Sequence, residues 1–390
     1  SPGAPTSMHL PPPQFDSLPP TVHPSANALQ GFGSGAGEPS LSTPIVIYNG
    51  SSGVYGGWAG DRHPTSRLLL TDLPVDTLRG TVATQTLKPP PDPLQYWTSS
   101  LKFGERPDVD DAWSYLIAEQ LKANSKDHPL LLTERPLTSR SQRERIFQTA
   151  FESLEVPFCY LACSSQMALY ASGRVTGCVL ESGDRCTYCV PIYEGYIETH
   201  AVRDMPIAGH DITLYCHRIL SRQLDSEPSL KEWHTARVAK HLCAGMDLSQ
   251  PGIKAGSGEH ILPDGTPLCL TPELQQAGRA MFDPSLLGLA CRPVDELIYT
   301  TILALDVSLR KDMYCNVSLS GGNTQLRGFA EHLGECLAIR APSSYRVKVA
   351  QADEDGVPAP WRGGSLTCAS PAFVSMWTSK AEYDEHGPGI

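Results

Sequence analysis

Residues 170–196, YASGRVTGCVLESGDRCTYCVPIYEGY, do more to decide the fold of this chain than any other stretch. The pattern predicts a helix that ends near Gly173 and a buried strand over 178–180. A polar turn follows at 181–184, and a second strand returns over 187–190. Glycine permits a tight turn, and the exposed amides of such a turn are able to bind an anion. The stretch therefore predicts a hairpin with the geometry of a phosphate-binding loop.

A second hairpin of the same plan is predicted earlier in the chain. Strand-like PIVIY at 44–48 is followed by the polar run NGSSG at 49–53 and by VYGGW at 54–58. The repetition indicates two related halves. Helical periodicity separates the strands, over 109–123, 139–153, 164–172, 231–248 and 294–310. Surface loops are predicted over 61–100, 249–268 and 349–364. Alternating strands and helices predict an α/β protein with helices on both faces of its sheets.

Length and charge bound the function. The chain has 390 residues, 41% of them hydrophobic, which is enough for a large core and for two or more domains. Its net charge of 31 − 42 = −11 argues against nucleic acid and membrane surfaces as partners, because both attract a basic face. No stretch approaches the roughly 20 apolar residues of a membrane span.

Residues 1–43 differ in composition from the rest of the chain. They hold nine prolines and five glycines but only two charged residues, Asp16 and Glu38. Such a segment is predicted to be disordered, because it has too little apolar surface to offset the entropy of ordering. Its proline runs have the pattern that SH3, WW or profilin-like partners bind, and a solvated tail is the alternative.

The twelve cysteines are scattered and mostly lie in apolar runs, which predicts reduced, buried thiols in an intracellular protein. Cys186 and Cys189 form a C-x-x-C pair, but a zinc site normally needs a second pair at suitable spacing. The sequence has no such pair, so we predict no metal site here.

Four motifs, in order along the chain, resemble the actin family and in particular its divergent actin-like and actin-related members. They are LLLTERP at 130–136, the stretch 170–196, LSGG at 319–322 and MWTSKAEYDEHGP at 376–388. The resemblance runs from about residue 44 to 390. It implies a two-lobed fold, each lobe a mixed sheet with flanking helices, with ATP and a divalent cation between them.

The resemblance also implies domain limits. Residues 44–171 and 359–390 would form the first lobe, with a small subdomain at about 70–96. Residues 172–358 would form the second lobe, with a small subdomain at about 208–289.

Part of the family's nucleotide site is retained. The resemblance assigns phosphate contacts to backbone positions in three loops, namely Gly50, Ser51, Gly183, Asp184, Gly321 and Gly322. Two interpretations stay open for these glycines: they bind a nucleotide, or the turns need their backbone freedom.

Other positions of that site have changed. Tyr48 and Glu181 stand where the resemblance implies the two aspartates beside the metal, and a phenol is a poor ligand for Mg²⁺. Ser164 and Tyr188 stand where a glutamine and a histidine would position the attacking water. The remaining departures are Tyr55 for a lysine, Arg185 for a glycine, and Ala239 and Lys240 for a lysine–glutamate pair. Arg185 is expected either to reach phosphates or to pair with Asp184.

From these changes we predict no catalytic residue, no metal ligand and little or no ATP hydrolysis. The cofactor is expected to be absent, or to be ATP or ADP bound weakly, with Mg²⁺-dependent binding disfavoured.

The resemblance further implies a groove between the lobes that receives helices of cytoskeletal or actin-binding proteins. Its matched residues are Tyr170, Ala171, Gly173, Tyr196 and Met376, and plain packing between the lobes is the alternative. The first small subdomain is shorter than in actin and rich in Pro and Thr. Long homopolymers are therefore not expected, because a repeating contact tolerates little change.

The predicted function is that of a cytoskeletal scaffolding protein in the cytoplasm. Analogy with germ-cell actin-like proteins indicates the sperm-head cytoskeleton. The alternatives are an actin-fold ATPase that retains nucleotide binding and an actin-related subunit of a nuclear chromatin-remodelling complex.

Overall fold

A computed structural model describes residues 42–69, 108–221, 230–243, 259–261, 267–269, 271–353 and 355–390. The predicted tail, except for its last two residues, and the predicted small subdomain at 70–96 lie outside these ranges. Within the described ranges no helix is both long enough and apolar enough to cross a lipid bilayer.

The described strands are β1 Ile45–Asn49, β2 Gly53–Trp58, β3 Ser66–Leu69, β4 Leu130–Glu134, β5 Phe158–Cys163, β6 Gly177–Ser182, β7 Thr187–Tyr193, β8 Tyr196–Ile197, β9 Arg203–Met205, β10 Glu259–Ile261, β11 Pro267–Cys269, β12 Val317–Ser320, β13 Val349–Gln351 and β14 Thr378–Ser379.

The described α-helices are α1 Asp108–Tyr115, α2 Arg140–Gln148, α3 Ser164–Ala171, α4 Gly209–Ser221, α5 Leu230–Cys243, α6 Pro272–Gln275, α7 Val294–Leu303, α8 Val307–Cys315, α9 Phe329–Arg340, α10 Ala359–Cys368 and α11 Lys380–His386. π-Helical turns continue α1 and α2 at Leu116–Gln120 and Thr149–Ser153. Short 3₁₀ turns lie at Ser125–Asp127, Thr199–Ala201, Ala277–Met281, Pro284–Leu287, Gly322–Gln325 and Pro371–Met376.

The strands form two mixed six-stranded sheets and a separate β10–β11 hairpin. The first sheet has the order β14-β5-β4-β1-β2-β3, with β1, β4 and β5 parallel and the β1–β2 hairpin antiparallel. The second has the order β13-β12-β6-β7-β8, and β9 also pairs with β7. Here β12 runs parallel to β6 and β13, while β6–β7 is an antiparallel hairpin. These sheets and their flanking helices confirm the predicted α/β fold class.

The centre of the first sheet is buried on both faces, as the apolar run in β4 requires. Side chains alternate along β1 because successive residues of a strand point to opposite faces. Ile45 and Ile47 belong to one core cluster with Trp113 of α1, while Val46 belongs to another with Trp361 of α10. Helices therefore cover both faces of this sheet.

Helices α3 and α10 pack backbone to backbone. A Cβ added at Gly363 of α10 would lie only 1.8 Å from the carbonyl oxygen of Met167 in α3, so this position admits only glycine. The contact matters for the site, because α3 follows the first sheet directly and leads into β6 of the second.

Three local predictions were wrong. The single helix predicted over 294–310 is broken: α7 ends at Leu303, and Asp306 caps α8 by accepting a hydrogen bond from the Ser308 amide at 2.8 Å. The segment 61–100, predicted as a loop, contains strand β3. The segment 349–364, also predicted as a loop, contains β13 and the start of α10. Both strands are short edge strands, which carry weak periodicity.

Candidate functional site

Two of the three predicted loops meet at the end of the second sheet. We call residues 49–53 the first loop, 182–187 the second loop and 320–325 the third loop. Because β12 runs parallel to β6, with Ser320 beside Glu181, the second and third loops leave the same sheet edge. The Asn323 side-chain amide joins them by donating to the Gly183 carbonyl at 2.6 Å and to Ser182 Oγ at 3.0 Å.

The first loop faces the other two through Tyr48. Burial raises the pKa of this phenol well above its ordinary value, and the carboxylates of Glu181 and Asp353 raise it further. Tyr48 therefore lies close to acidic groups of the second sheet, and it stays neutral. We call the region where these loops face each other the three-loop site.

The end of the first loop is anchored to its own sheet by Asn49. The Asn49 amide donates to Thr133 Oγ1 at 3.0 Å, and its side-chain amide donates to the Thr133 carbonyl at 3.1 Å. The Trp113 indole donates to Asn49 Oδ1 at 2.7 Å. Ser51 lies in the turn itself and is partly buried. The first loop thus has a fixed position without any ligand.

The second loop caps helix α4. The amides of Gly209 and His210 donate to the carbonyls of Gly183 and Asp184 at 2.9 and 2.7 Å. Within the loop the Gly183 amide donates to the Cys186 carbonyl at 2.9 Å. The backbone groups of this loop are therefore largely used inside the protein, as buried polar groups require.

Asp184 and Arg185 form an ion pair, with Arg185 Nε 3.5 Å from Asp184 Oδ2. This contact confirms the pairing that was one of the two expectations for Arg185. Both side chains are partly exposed, so the pair adds little to stability.

The space around each glycine helps to decide whether the position needs glycine for packing or is open to a nucleotide. This space is measured by adding a hypothetical Cβ atom to each glycine. Gly321 has φ +93°, and a Cβ there would lie 2.3 Å from the Ser182 carbonyl oxygen. At Gly50 a Cβ would lie 2.8 Å from the Gly53 carbonyl oxygen. Packing therefore requires both glycines.

At Gly322 and Gly183, packing does not require glycine. A Cβ at Gly322 would meet nothing within 4 Å, and one at Gly183 would meet only the Cys186 carbonyl oxygen at 3.8 Å. This open space is what the phosphates of a nucleotide would need next to backbone amides.

The metal positions do not suit Mg²⁺. Aromatic packing holds Tyr48, whose ring centroid lies 5.9 Å from that of Tyr55. Glu181 is engaged inside the protein, where its Oε2 accepts hydrogen bonds from Ser164 Oγ at 2.8 Å and Ser165 Oγ at 2.5 Å. In proteins Mg²⁺ is usually bound by one or two carboxylates and keeps several of its water molecules. A phenol and a carboxylate that already accepts two hydroxyl groups do not provide such ligands. Among the described residues, no three His, Cys, Asp or Glu side chains group as metal ligands.

Ser164 and Tyr188, at the two positions implied to orient the attacking water, are not suited to that role. Ser164 donates its hydroxyl to Glu181 and is buried, so it does not face a substrate. Burial raises the pKa of the Tyr188 phenol far above its ordinary value, so this residue does not act as a base near neutral pH.

Asp353 is a residue of the site that sequence reasoning missed. It lies in the acidic part of the segment predicted as a surface loop, yet it is only 9% exposed. Its carboxylate accepts four hydrogen bonds, from Ser320, Gly321, Gln325 and Ala359. An acidic run normally indicates an exposed segment, so no local pattern could have revealed this role.

The far wall of the site is formed by α4 and α5. Ala239 is fully buried in the core, and the neighbouring Lys240 donates its ammonium to the Gly209 carbonyl at 2.9 Å. Burial lowers the pKa of Lys240. His210 stacks on Trp233 with ring centroids 4.6 Å apart, and burial lowers its pKa to about 4. Neither Ala239 nor Lys240 offers the polar pair that the resemblance implies beside adenosine.

The five predicted groove residues lie near one another. Tyr170 belongs to the core cluster against which Met376 packs, and its hydroxyl donates to the Gly195 carbonyl at 3.4 Å, next to Tyr196 in β8. Ala171 ends α3, and Gly173 follows it with φ +69°. Tyr170 is only 4% exposed, so most of its ring serves packing. Partner binding at this groove stays a prediction.

The ten cysteines with described side chains are all free thiols. Cys178 and Cys189 lie in contact inside the second sheet, with their sulfur atoms 3.3 Å apart. Cys189 therefore turns away from Cys186, which lies in the second loop. The two do not converge on a common metal position.

Two mixed sheets, each with one strand–loop–strand hairpin facing a shared site, define a two-lobed α/β class of fold. A family model described as Actin matches residues 40–240 and 230–390 of the chain. Because these two segments span most of its length, the chain belongs to the actin family.

Proposed function

We propose that this member of the actin family is a scaffolding protein of the cytoskeleton with little or no ATPase activity. One observation carries the proposal: both metal positions of the three-loop site are used for internal contacts. Tyr48 packs on Tyr55, and Glu181 accepts the hydroxyls of Ser164 and Ser165.

The loss of hydrolysis follows from the chemistry of phosphoryl transfer. The protein contributes mainly position and charge to this reaction, through a metal ion and a group that orients the attacking water. Here the metal-binding groups are replaced or engaged, and the water-orienting positions hold a buried serine and a neutral phenol. The remaining backbone amides are able to bind an anion but not to activate water.

Weak nucleotide binding remains compatible with this proposal. The open space at Gly183 and Gly322 would admit phosphates. The Gly322 amide would hold them without a divalent cation, because the Gly183 and Gly321 amides already have partners inside the protein. ATP or ADP would then act as a filler of the site.

Scaffolding requires partners, and the groove defined by Tyr170, Ala171, Gly173, Tyr196 and Met376 supports a helical one. Arg362 holds the end of α3 in this groove, because its Nη2 donates to the Ala171 carbonyl at 3.2 Å and to the Ala352 carbonyl at 3.0 Å. SH3, WW or profilin-like domains are proposed partners of the proline-rich tail.

Phosphate release by the purified protein in MgATP tests the loss of hydrolysis. We expect no release above the buffer rate, for the wild type and for Glu181→Ala alike. Turnover by the wild type that Glu181→Ala abolishes would show a working ATPase and contradict the proposal.

Nucleotide content is a separate measurement. Chromatography of the supernatant after acid denaturation shows whether ATP or ADP is bound, and pre-incubation with EDTA tests its dependence on divalent cations. We expect less than one nucleotide per chain and no effect of EDTA.

Cellular location is tested by tagging the full chain in male germ cells. Enrichment in the cytoplasmic cytoskeleton, with the sperm head as its predicted site, is the expected result. A nuclear signal with co-purifying chromatin remodellers would instead support the nuclear alternative.

A further inference from the structure

We propose that the Asp353 carboxylate is an internal anion that fills the third loop and ties it to the start of α10. The carboxylate would accept hydrogen bonds from this loop in the way that a bound phosphate accepts them from a phosphate-binding loop. The inference rests on the proposed function in one respect, namely that no tightly bound nucleotide competes for this position.

The contacts of Asp353 are complete. Its Oδ1 accepts from Ser320 Oγ at 3.0 Å and from the Ala359 amide at 2.9 Å. Its Oδ2 accepts from the Gly321 amide at 2.9 Å and from Gln325 Nε2 at 3.2 Å. A carboxylate has about four acceptor sites, so this one is saturated by the protein.

The four donors come from separate parts of the fold. Ser320 ends β12, Gly321 and Gln325 belong to the third loop, and Ala359 is the first residue of α10. The carboxylate therefore connects the second sheet to a helix that packs on the first sheet. Its position at the N-terminus of a ten-residue helix is favourable for a negative charge.

Glu181 forms a second connection of the same kind. It extends from β6 of the second sheet, and its carboxylate accepts the hydroxyls of Ser164 and Ser165 in the first turn of α3. Since α3 and α10 pack on each other, the N-terminal ends of both central helices hold a carboxylate of the chain. Burial raises the pKa of Asp353, while its hydrogen bonds lower it.

This arrangement has a consequence for the whole molecule. The Gly321 amide and the start of α10 have their partners without any ligand. The relative position of the third loop and α10 is therefore set by Asp353 rather than by nucleotide. The folded state should not depend on nucleotide or on divalent cations.

The test is thermal unfolding of Asp353→Ala and Asp353→Asn, with Asp355→Asn as the matched control. Asp355 is exposed and lies two residues away. We expect both Asp353 variants to melt about 5 °C or more below the wild type, because each leaves buried donors unpaired. Asp355→Asn should melt with the wild type. If Asp353→Ala is insoluble, Asp353→Asn decides the comparison.

Small anions provide a second readout that a general packing defect would not show. Sodium acetate or inorganic phosphate should raise the melting temperature of Asp353→Ala toward the wild-type value, and sodium chloride at equal ionic strength should not. The wild type should gain less from acetate or phosphate than Asp353→Ala does, and it should be insensitive to EDTA.

Two outcomes would overturn the proposal. One is that the Asp353 variants melt like Asp355→Asn. The other is that acetate and phosphate raise the melting temperature of Asp353→Ala by no more than they raise that of the wild type. ATP turnover in the separate phosphate-release assay would contradict the proposed function but would leave these melting results unchanged, so the two failures are distinguishable.

Discussion

The β1–β2 and β6–β7 hairpins have the same plan but are stabilised in different ways. At the first, the residue at the implied metal position makes an aromatic contact: Tyr48 packs near Tyr55, and Leu116 lies over the backbone of Gly56. At the second, the contacts are polar: Ser182 and Thr187 share a hydrogen bond of 2.8 Å, and Glu181 binds two serine hydroxyls.

The difference shows two ways in which the protein itself holds the residues at the implied metal positions. In the first hairpin a bulky neutral ring takes the place of a charged ligand group. In the second the acidic group remains, but local hydroxyl groups bind it. Substitutions should therefore act through packing in the first hairpin, and through backbone and charge in the second.

Gly321→Ala should have the largest effect. Alanine is strained at φ +93°, and its Cβ would lie 2.3 Å from the Ser182 carbonyl oxygen, which belongs to a backbone that cannot move alone. We expect a loss of about 4 kcal/mol or more in the free energy of unfolding. Urea unfolding measures this loss.

The matched control is Gly322→Ala, whose Cβ would meet nothing within 4 Å. A change within about 0.5 kcal/mol is expected there. Equal losses at the two glycines would show that the second and third loops are not packed as described.

Gly56→Ala should have an intermediate effect. Its Cβ would lie 2.2 Å from a Leu116 methyl carbon, and a side chain is able to shift where a backbone is not. Overpacking of this kind typically costs about 1–3 kcal/mol.

A double-mutant cycle with Leu116→Ala sharpens this test. The double variant should lose less stability than the sum of the two single losses, because the smaller side chain removes the clash. Strict additivity would mean that the first hairpin is not limited by this contact.

The smallest effect is a pH dependence at the start of α4, which the second loop caps. Burial raises the pKa of Asp211, at the start of α4, to about 7. The folded state then binds more protons than the unfolded state between about pH 4 and 7, so this group lowers stability as the pH rises through that window. His210 acts in the opposite sense, with a pKa lowered to about 4, and stabilises as the pH rises from about 4 to 6.5.

Asp211→Asn keeps an acceptor for the Ala208 amide, which donates to Asp211 Oδ2 at 2.8 Å. The stability of this variant relative to the wild type should increase from pH 5 to pH 7.5 in urea unfolding. Asp355→Asn should show no such trend. A constant difference for Asp211→Asn would contradict the raised pKa.

Local sequence patterns determined much of the fold. Both hairpins and helices α1 to α3 follow from periodicity, because a strand or helix depends mainly on neighbouring residues. The residue types at Tyr48, Glu181 and Ser164 were also readable, since the resemblance assigns a position in the site to each. Periodicity failed at α7–α8, where Asp306 stops a helix whose apolar pattern continues.

Only the tertiary structure decided how the changed residues are used. The Ser165–Glu181 and Gly321–Asp353 hydrogen bonds join residues 16 and 32 positions apart, and Asn323 reaches Gly183 across 140. No local pattern encodes such contacts, because they depend on where the second sheet places β6 beside β12. The sequence alone therefore determined which residue types stand at the positions that the resemblance implies for the site. The fold decided that the chain's own carboxylates bind at the ends of its central helices, where buried donors require an acceptor.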